Sequence, residues 1–286
     1  MVRGYTDAQL QSFDYFADGG IRDLFNWVVM GHHSTGAFAA EGLPVRFYNG
    51  HASLHLDGRT SDDQFDFLDV PYEEVGRYAM VRYGSPDATE PEKIAGDGGH
   101  VGPIDQLTNR VYSALRLMDR RWPGGDRRRE IDRLCSELGP SCENVNQITT
   151  QFESPTTGRV GPASIVLPPG YFDPENTDLR YPVVYFLHGY GMEPQDLMAL
   201  GILLWNYMNA RTIPEARRVQ KIIFVFPDGR CRVNDGVEEC LNGTFYTDAP
   251  ESTPGGARMQ TWLLDLMDHV DATYRTRGTE SVEVVE

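Results

Sequence analysis

The chain has 286 residues, 40% of them hydrophobic, and its 42 Asp and Glu against 26 Lys and Arg give a net charge of −16. That balance argues against a nucleic-acid backbone or an anionic membrane surface as partner, because both attract a basic footprint. The length suits one large domain or two modest ones, and no run of about 18 apolar residues is present to span a bilayer.

In chain order, residues 1–125 read as an N-terminal accessory region of uncertain α+β character. Ile21 to Met30 is apolar and fits a helix or a strand. Pro44 to Phe47 and Tyr78 to Tyr83 read as strands, and Leu107 to Met118 reads as an amphipathic helix with Val111, Leu115 and Met118 inward. Residues 126–153 read as a linker ending in a polar strand or surface segment, NQITTQFE. From 154 onward strands and helices alternate. Gly161 to Leu167, Tyr181 to Leu187 and Lys221 to Phe226 are apolar runs of the kind covered on both faces of a parallel sheet. Between them, Pro194 to Ala210 is expected as a helix with Leu197, Leu200, Leu204 and Met208 on its inner face. Arg258 to Arg275 is expected as a second helix, with Leu263, Met267, Val270 and Tyr274 inward and Asp265, Asp268 and Asp271 toward water. SVEVV, at 281–285, begins a further strand. The alternation implies an α/β class with a doubly wound sheet.

The four cysteines fall in two close pairs, Cys135/Cys142 and Cys231/Cys240. Local pairing predicts two disulfides, each closing a small ring worth about 2.5 kcal/mol, and an oxidising, extracytoplasmic compartment. The opening MVRGYTDAQL carries no apolar leader, which conflicts with export. Buried free thiols in a cytoplasmic protein are the alternative.

The segment RYPVVYFLHGYG joins an apolar strand to a His-Gly-x-Gly turn. With it come SPTTGRVGPASIVLPPGYF before, then KIIFVFPDG, NGTFYTDAPE and the helix WLLDLMDHVDATYRT. These five segments, in this order over residues 154–286, resemble the first half of an esterase D-like α/β-hydrolase domain. That group includes S-formylglutathione hydrolases, feruloyl and other carbohydrate esterases, enterochelin esterases and mycolyltransferases. The resemblance implies serine-dependent hydrolysis of a small-molecule or carbohydrate ester, without a cofactor. It gives the backbone of Tyr190 or Gly191 one oxyanion-hole donor, and it puts Gly189, Asp228 and Tyr246 at the substrate cleft. His188 matches the family's strand-end position, which is structural. The G-x-S-x-G elbow, the acid and the base histidine of the family would all lie beyond Glu286. The chain is therefore expected to lack the catalytic serine, as a truncated hydrolase or as an inactive hydrolase-fold binding module. CRVNDGVEEC, from Cys231 to Cys240, is an insertion relative to the simplest family pattern.

The N-terminal region offers a rival triad. NWVVMGHHSTGAFAAEG reads as strand, turn and helix around Ser34, and Asp87 and His100 follow in hydrolase order, although His32 stands where an elbow glycine belongs. Five of the seven histidines lie between residues 32 and 100, and His51, His55 and Asp57 have a spacing that a divalent metal accepts. Ordinary surface histidines are the simpler reading, and His269, on a polar helix face, belongs with them.

Overall fold

A computed structural model describes residues 6, 14–52, 61, 63–65, 78–121, 145–189, 191–209, 218–230, 244, 246–249 and 257–278. Tyr190, His55, Asp57 and the SVEVV segment lie outside the described residues. So do Cys135, Cys142, Cys231 and Cys240. The expected disulfides Cys135–Cys142 and Cys231–Cys240 are therefore not found, and the described residues contain no cysteine that could form another. The chain divides into two units, Met1–Pro123 and Gly124–Glu286. Among the described residues no helix is long and apolar enough to cross a membrane.

Unit 1 is built on a wholly parallel three-stranded sheet. Its strands are β1 (Tyr15–Gly20), β2 (Val45–Asn49) and β3 (Tyr78–Tyr83), in the order β1-β3-β2. Helix α1 (Trp27–Ala40) covers one face, stacking Phe38 on Tyr78 and seating Gly31 against Met80, where a Cβ would lie 2.5 Å from the sulfur. A short helix α2 (Glu90–Ile94) and helix α3 (Ile104–Arg121) follow. Asp18 points to the face opposite α1 and takes two hydrogen bonds from Arg110 of α3, at 2.6 and 2.9 Å. The inward residues of α3 include Tyr112 and Leu115. The expected inward Val111 and Met118 are only half-buried, because Asn109 and Ser113 share the buried side with the aromatic ring.

Unit 2 carries a four-stranded mixed sheet in the order β4-β5-β7-β6. Its strands are β4 (Asn146–Glu153), β5 (Val160–Leu167), β6 (Val183–Tyr185) and β7 (Ile223–Pro227). β4 pairs antiparallel with β5, so the end of the stretch expected as linker is an edge strand, with Ile148 and Phe152 turned inward and its threonines and glutamines outward. β5 runs antiparallel to β7, and β7 runs parallel to β6. Helix α4 (Pro194–Tyr207) lies over Val166 and Phe226, and helix α5 (Met259–Thr273) packs on the opposite face against Ile165, Ile223 and Val225. The sheet is thus covered on both sides, an α/β arrangement with helix, sheet and helix layers.

Three sequence expectations shift here. The run from Tyr181 to Leu187 keeps only three strand residues, all half-buried, and Leu187 is 48% exposed. The cause is position: β6 ends the described sheet, so its apolar residues lack a neighbour on one side. α4 buries Met198, Gly201 and Trp205 besides Leu204, because the missing Cβ of Gly201 admits Phe226. α5 buries Met259, Trp262 and Leu266 with Val270, while Met267 is 38% exposed. Trp262 sits over Gly161, and that contact rotates the helix by about one residue from the expected stripe. Asp265 then reaches the turn after β4, accepting hydrogen bonds from the Ser154 hydroxyl and the Thr156 amide instead of facing water.

Candidate active site

β6 and β7 run parallel, and the chain leaves both at their carboxyl ends as turns that meet. In open α/β sheets this is where a binding crevice forms. His188, buried in the first turn, ties it to the second: the Gly229 amide donates to its Nε2 at 2.8 Å. A nitrogen that accepts an N–H carries no proton, so Nδ1 carries it and donates to the Gly189 carbonyl at 3.0 Å. Both ring nitrogens are occupied. His188 is a neutral bracket between two turns and has no free lone pair for proton transfer.

Tyr246 closes the bracket from a third segment. Its hydroxyl accepts the His188 amide hydrogen at 3.0 Å and lies 3.4 Å from the Pro227 carbonyl, to which it donates. Its ring meets the imidazole edge-on at 5.7 Å. A Cβ on Gly229 would stand 2.3 Å from that ring, so the P-D-G turn requires glycine there. Burial pushes the Tyr246 hydroxyl well above its ordinary value, which keeps it protonated as a donor.

Asp228 is fully buried, and its carboxylate takes the Arg230 amide and Nε on one oxygen and Nη2 on the other, each at 3.0 Å. Arg230 also pairs with Glu193, the residue that caps α4 in a capping box with Asp196. A charged chain thus runs from the β7 turn to the first turn of α4. It leaves Asp228 committed to Arg230.

Between these fixtures the backbone at Gly189 and Gly191 is exposed. Gly191 has φ +75°, a conformation that favours glycine, and nothing lies within 4 Å of where its Cβ would be. Its N–H meets no acceptor among the described residues. An amide held open on a turn that buried side chains immobilise is what a developing oxyanion requires.

No protein-family model matches the chain, and no curated protein matches it significantly. Solved structures do. The chain is similar to a ferulic acid esterase, 18% identical over 47% of this chain and 46% of the other, with a TM-score of 0.36. It is similar to an S-formylglutathione hydrolase from Agrobacterium tumefaciens, at 19% identity over 46% and 48%, TM-score 0.36. A fluorophosphonate-binding serine hydrolase of Staphylococcus aureus is 18% identical over 48% and 43%, TM-score 0.32. The chain spans about half the length of each.

The rival triad of unit 1 is not assembled. Ser34 lies within α1 and not on a strand-to-helix elbow, and its hydroxyl donates to the Met30 carbonyl at 3.1 Å. The turn expected there gives way to a helix that starts at Trp27 and runs unbroken to Ala40. Asp87 is exposed, and no hydrogen bond among the described residues joins it to Ser34 or His100. His100 pairs with Asp23, its Nδ1 3.0 Å from Oδ2.

His51, the first residue of the metal spacing, is buried with Nδ1 3.2 Å from the Ser113 hydroxyl and Nε2 3.5 Å from Asp18. Among the described residues no three His, Cys, Asp or Glu side chains converge as a metal site. Burial pushes the His51 ring below its ordinary value, with Asp18 opposing. Burial also opposes the charge on Asp18, yet Arg110 and His51 hold that carboxyl far below the usual range. This network floors a cavity of about 340 Å³ at the carboxyl ends of β2 and β3, which Tyr83, Asp97 and Gln106 also line. Burial raises the Tyr83 hydroxyl to about 12, so it remains a donor. The side chains that sequence reading missed are Arg230, Glu193 and Asp23. D-G-R after a strand and E-P before a helix were the available signals for the first two.

Proposed function

We propose that residues 154–286 belong to an esterase D-like α/β-hydrolase and carry the oxyanion side of a serine ester hydrolase site. The observation that carries the reading is the His188 bracket, which leaves the Gly191 amide open at the carboxyl end of β6. In such a site a serine attacks the ester carbonyl, and the negative oxygen is met by this amide and by the amide after the serine. One such donor is worth roughly 10²–10³ in kcat. Tyr246, at the inner wall, faces the acyl side, and no cofactor takes part.

Support also comes from the chain beyond α5. The Tyr181 amide donates to Arg275 and the Arg277 amide to Tyr181, at 2.9 and 3.0 Å, a parallel bridge beside the β6 edge. A strand laid in that direction would end beside the 188–191 turn. The elbow serine of the family must stand there to share an oxyanion with Gly191. On this reading the serine, the acid and the base follow residue 286, and residues 1–286 hold no nucleophile for this site.

The test uses protein expressed from the complete reading frame, assayed with p-nitrophenyl acetate. Gly191→Val forces a β-branched residue into a left-handed turn, and kcat is expected to fall by roughly 10²-fold with the fold retained by circular dichroism. An unchanged kcat in the folded variant, or no turnover by the wild type, overturns the reading.

A further inference from the structure

We infer that Asp23 and His100 form a carboxylate-oriented imidazole base in unit 1, which activates water against a small apolar ester. The inference is independent of the proposal for residues 154–286. Asp23 stands just past the carboxyl end of β1 with its side chain 2% exposed. Its Oδ1 accepts the Phe25 amide at 2.8 Å, and its Oδ2 lies 3.0 Å from His100 Nδ1. An ionised carboxylate only accepts, so the shared proton sits on Nδ1 and the lone pair on Nε2. That nitrogen has no hydrogen-bond partner among the described residues, and the imidazole is 47% exposed. A base whose far nitrogen is held by a buried acid, with its near nitrogen open, is the arrangement general-base catalysis needs.

The loop that carries His100 is fixed from several sides. Gly20, Gly84 and Gly98 pack backbone against backbone: a Cβ on Gly20 would lie 2.2 Å from the Gly98 carbonyl, and one on Gly84 would lie 2.5 Å from the Gly98 Cα. The Arg22 amide donates to Gly98 at 2.7 Å, and the Tyr83 hydroxyl lies 2.7 Å from the Gly99 carbonyl and 2.9 Å from that of His100. Phe25 meets the imidazole edge-on at 4.9 Å. The ring is therefore held in place while its reactive nitrogen faces solvent.

The neighbours set the substrate class. Leu24 and Phe25 follow Asp23 and are 90% and 65% exposed, and Val101, next to His100, is 53% exposed. An apolar acyl or aryl group has a surface to rest on there. Ser34 is engaged within α1, so the attacking oxygen is that of water. Nε2 takes a proton as the water oxygen bonds to the carbonyl carbon. The tetrahedral adduct then breaks its bond to the alcohol oxygen, and the imidazolium returns the proton to the departing alkoxide. Acid and alcohol are the products, and solvent supplies the one co-reactant.

The experiment measures p-nitrophenyl butyrate hydrolysis by the 286-residue chain after exhaustive fluorophosphonate treatment, with a ¹⁵N spectrum of the histidines alongside. Turnover should survive the fluorophosphonate, fall roughly 10²-fold in His100→Ala and stay unchanged in His33→Ala. The wild-type spectrum should place the His100 proton on Nδ1. Asp23→Asn should move it to Nε2 and lower the rate, because an amide in place of the acid favours the wrong tautomer. Turnover lost entirely to the fluorophosphonate, an unchanged rate in His100→Ala, or a wild-type proton on Nε2 overturns the inference. The last reading requires no variant to fold.

Discussion

His188 shows how one side chain couples three loops. It satisfies the Gly229 amide and the Gly189 carbonyl with its ring, and its own amide reaches Tyr246. Removing the ring leaves a buried amide without its acceptor, which costs about 1–3 kcal/mol. His188→Ala should lose that much in urea denaturation. In unit 1, Asp18 and His51 make stability depend on pH. Both have folded values below their unfolded ones, so the unfolded chain binds more protons and acid destabilises. His51 contributes a loss that begins as pH falls below about 6.5, and Asp18 adds one that begins below about 4. His51→Gln should flatten the first part of the stability–pH curve and leave the second. A curve falling equally steeply between pH 6.5 and 5 in that variant would remove His51 from the account. Motif reading found Gly189, Gly191, Asp228 and Tyr246 because turns and strand ends have recognisable spacings. Arg230 and Asp23 were invisible to it, since an ion pair between neighbouring loops leaves no periodic trace.

At the scale of elements, sequence periodicity located β3, β5, α4 and α5 but misjudged which face each helix buries. The reason is glycine. Hydrophobic stripes count apolar side chains, whereas Gly201 and Gly161 create contact by having none. A Cβ on Gly201 would lie 2.6 Å from the Phe226 ring, so Gly201→Ala should overpack the α4 face and destabilise by about 1–3 kcal/mol in urea denaturation. Leu266, buried on α5 among Trp262 and Val270, tests the revised face directly. Leu266→Ala should cost about 2–5 kcal/mol, whereas Met267→Ala, on the originally expected stripe, should cost less than half as much. Equal costs would restore the expected face. β6 reads as buried in sequence because its apolar run is continuous; the structure puts it at the end of the described sheet, where half of that apolar surface has no neighbour.

For the whole molecule, the alternation of strands and helices was legible from residue 154 onward, and the three-layer arrangement of unit 2 follows from it. The parallel sheet of unit 1 was not, because β2 and β3 are separated by a long stretch without a clear period and pair only in three dimensions. The net charge of −16 carries a consequence for both units: neither is built to hold a polyanion. The central claim is that the His188–Gly191 turn serves a serine that follows residue 286. Its most direct test is to label protein from the complete reading frame with a fluorophosphonate and map the modified residue by mass spectrometry. The account predicts one labelled serine, in a G-x-S-x-G segment C-terminal to Glu286. A label on Ser34 or on any other serine within residues 1–286, or no label at all, would contradict it.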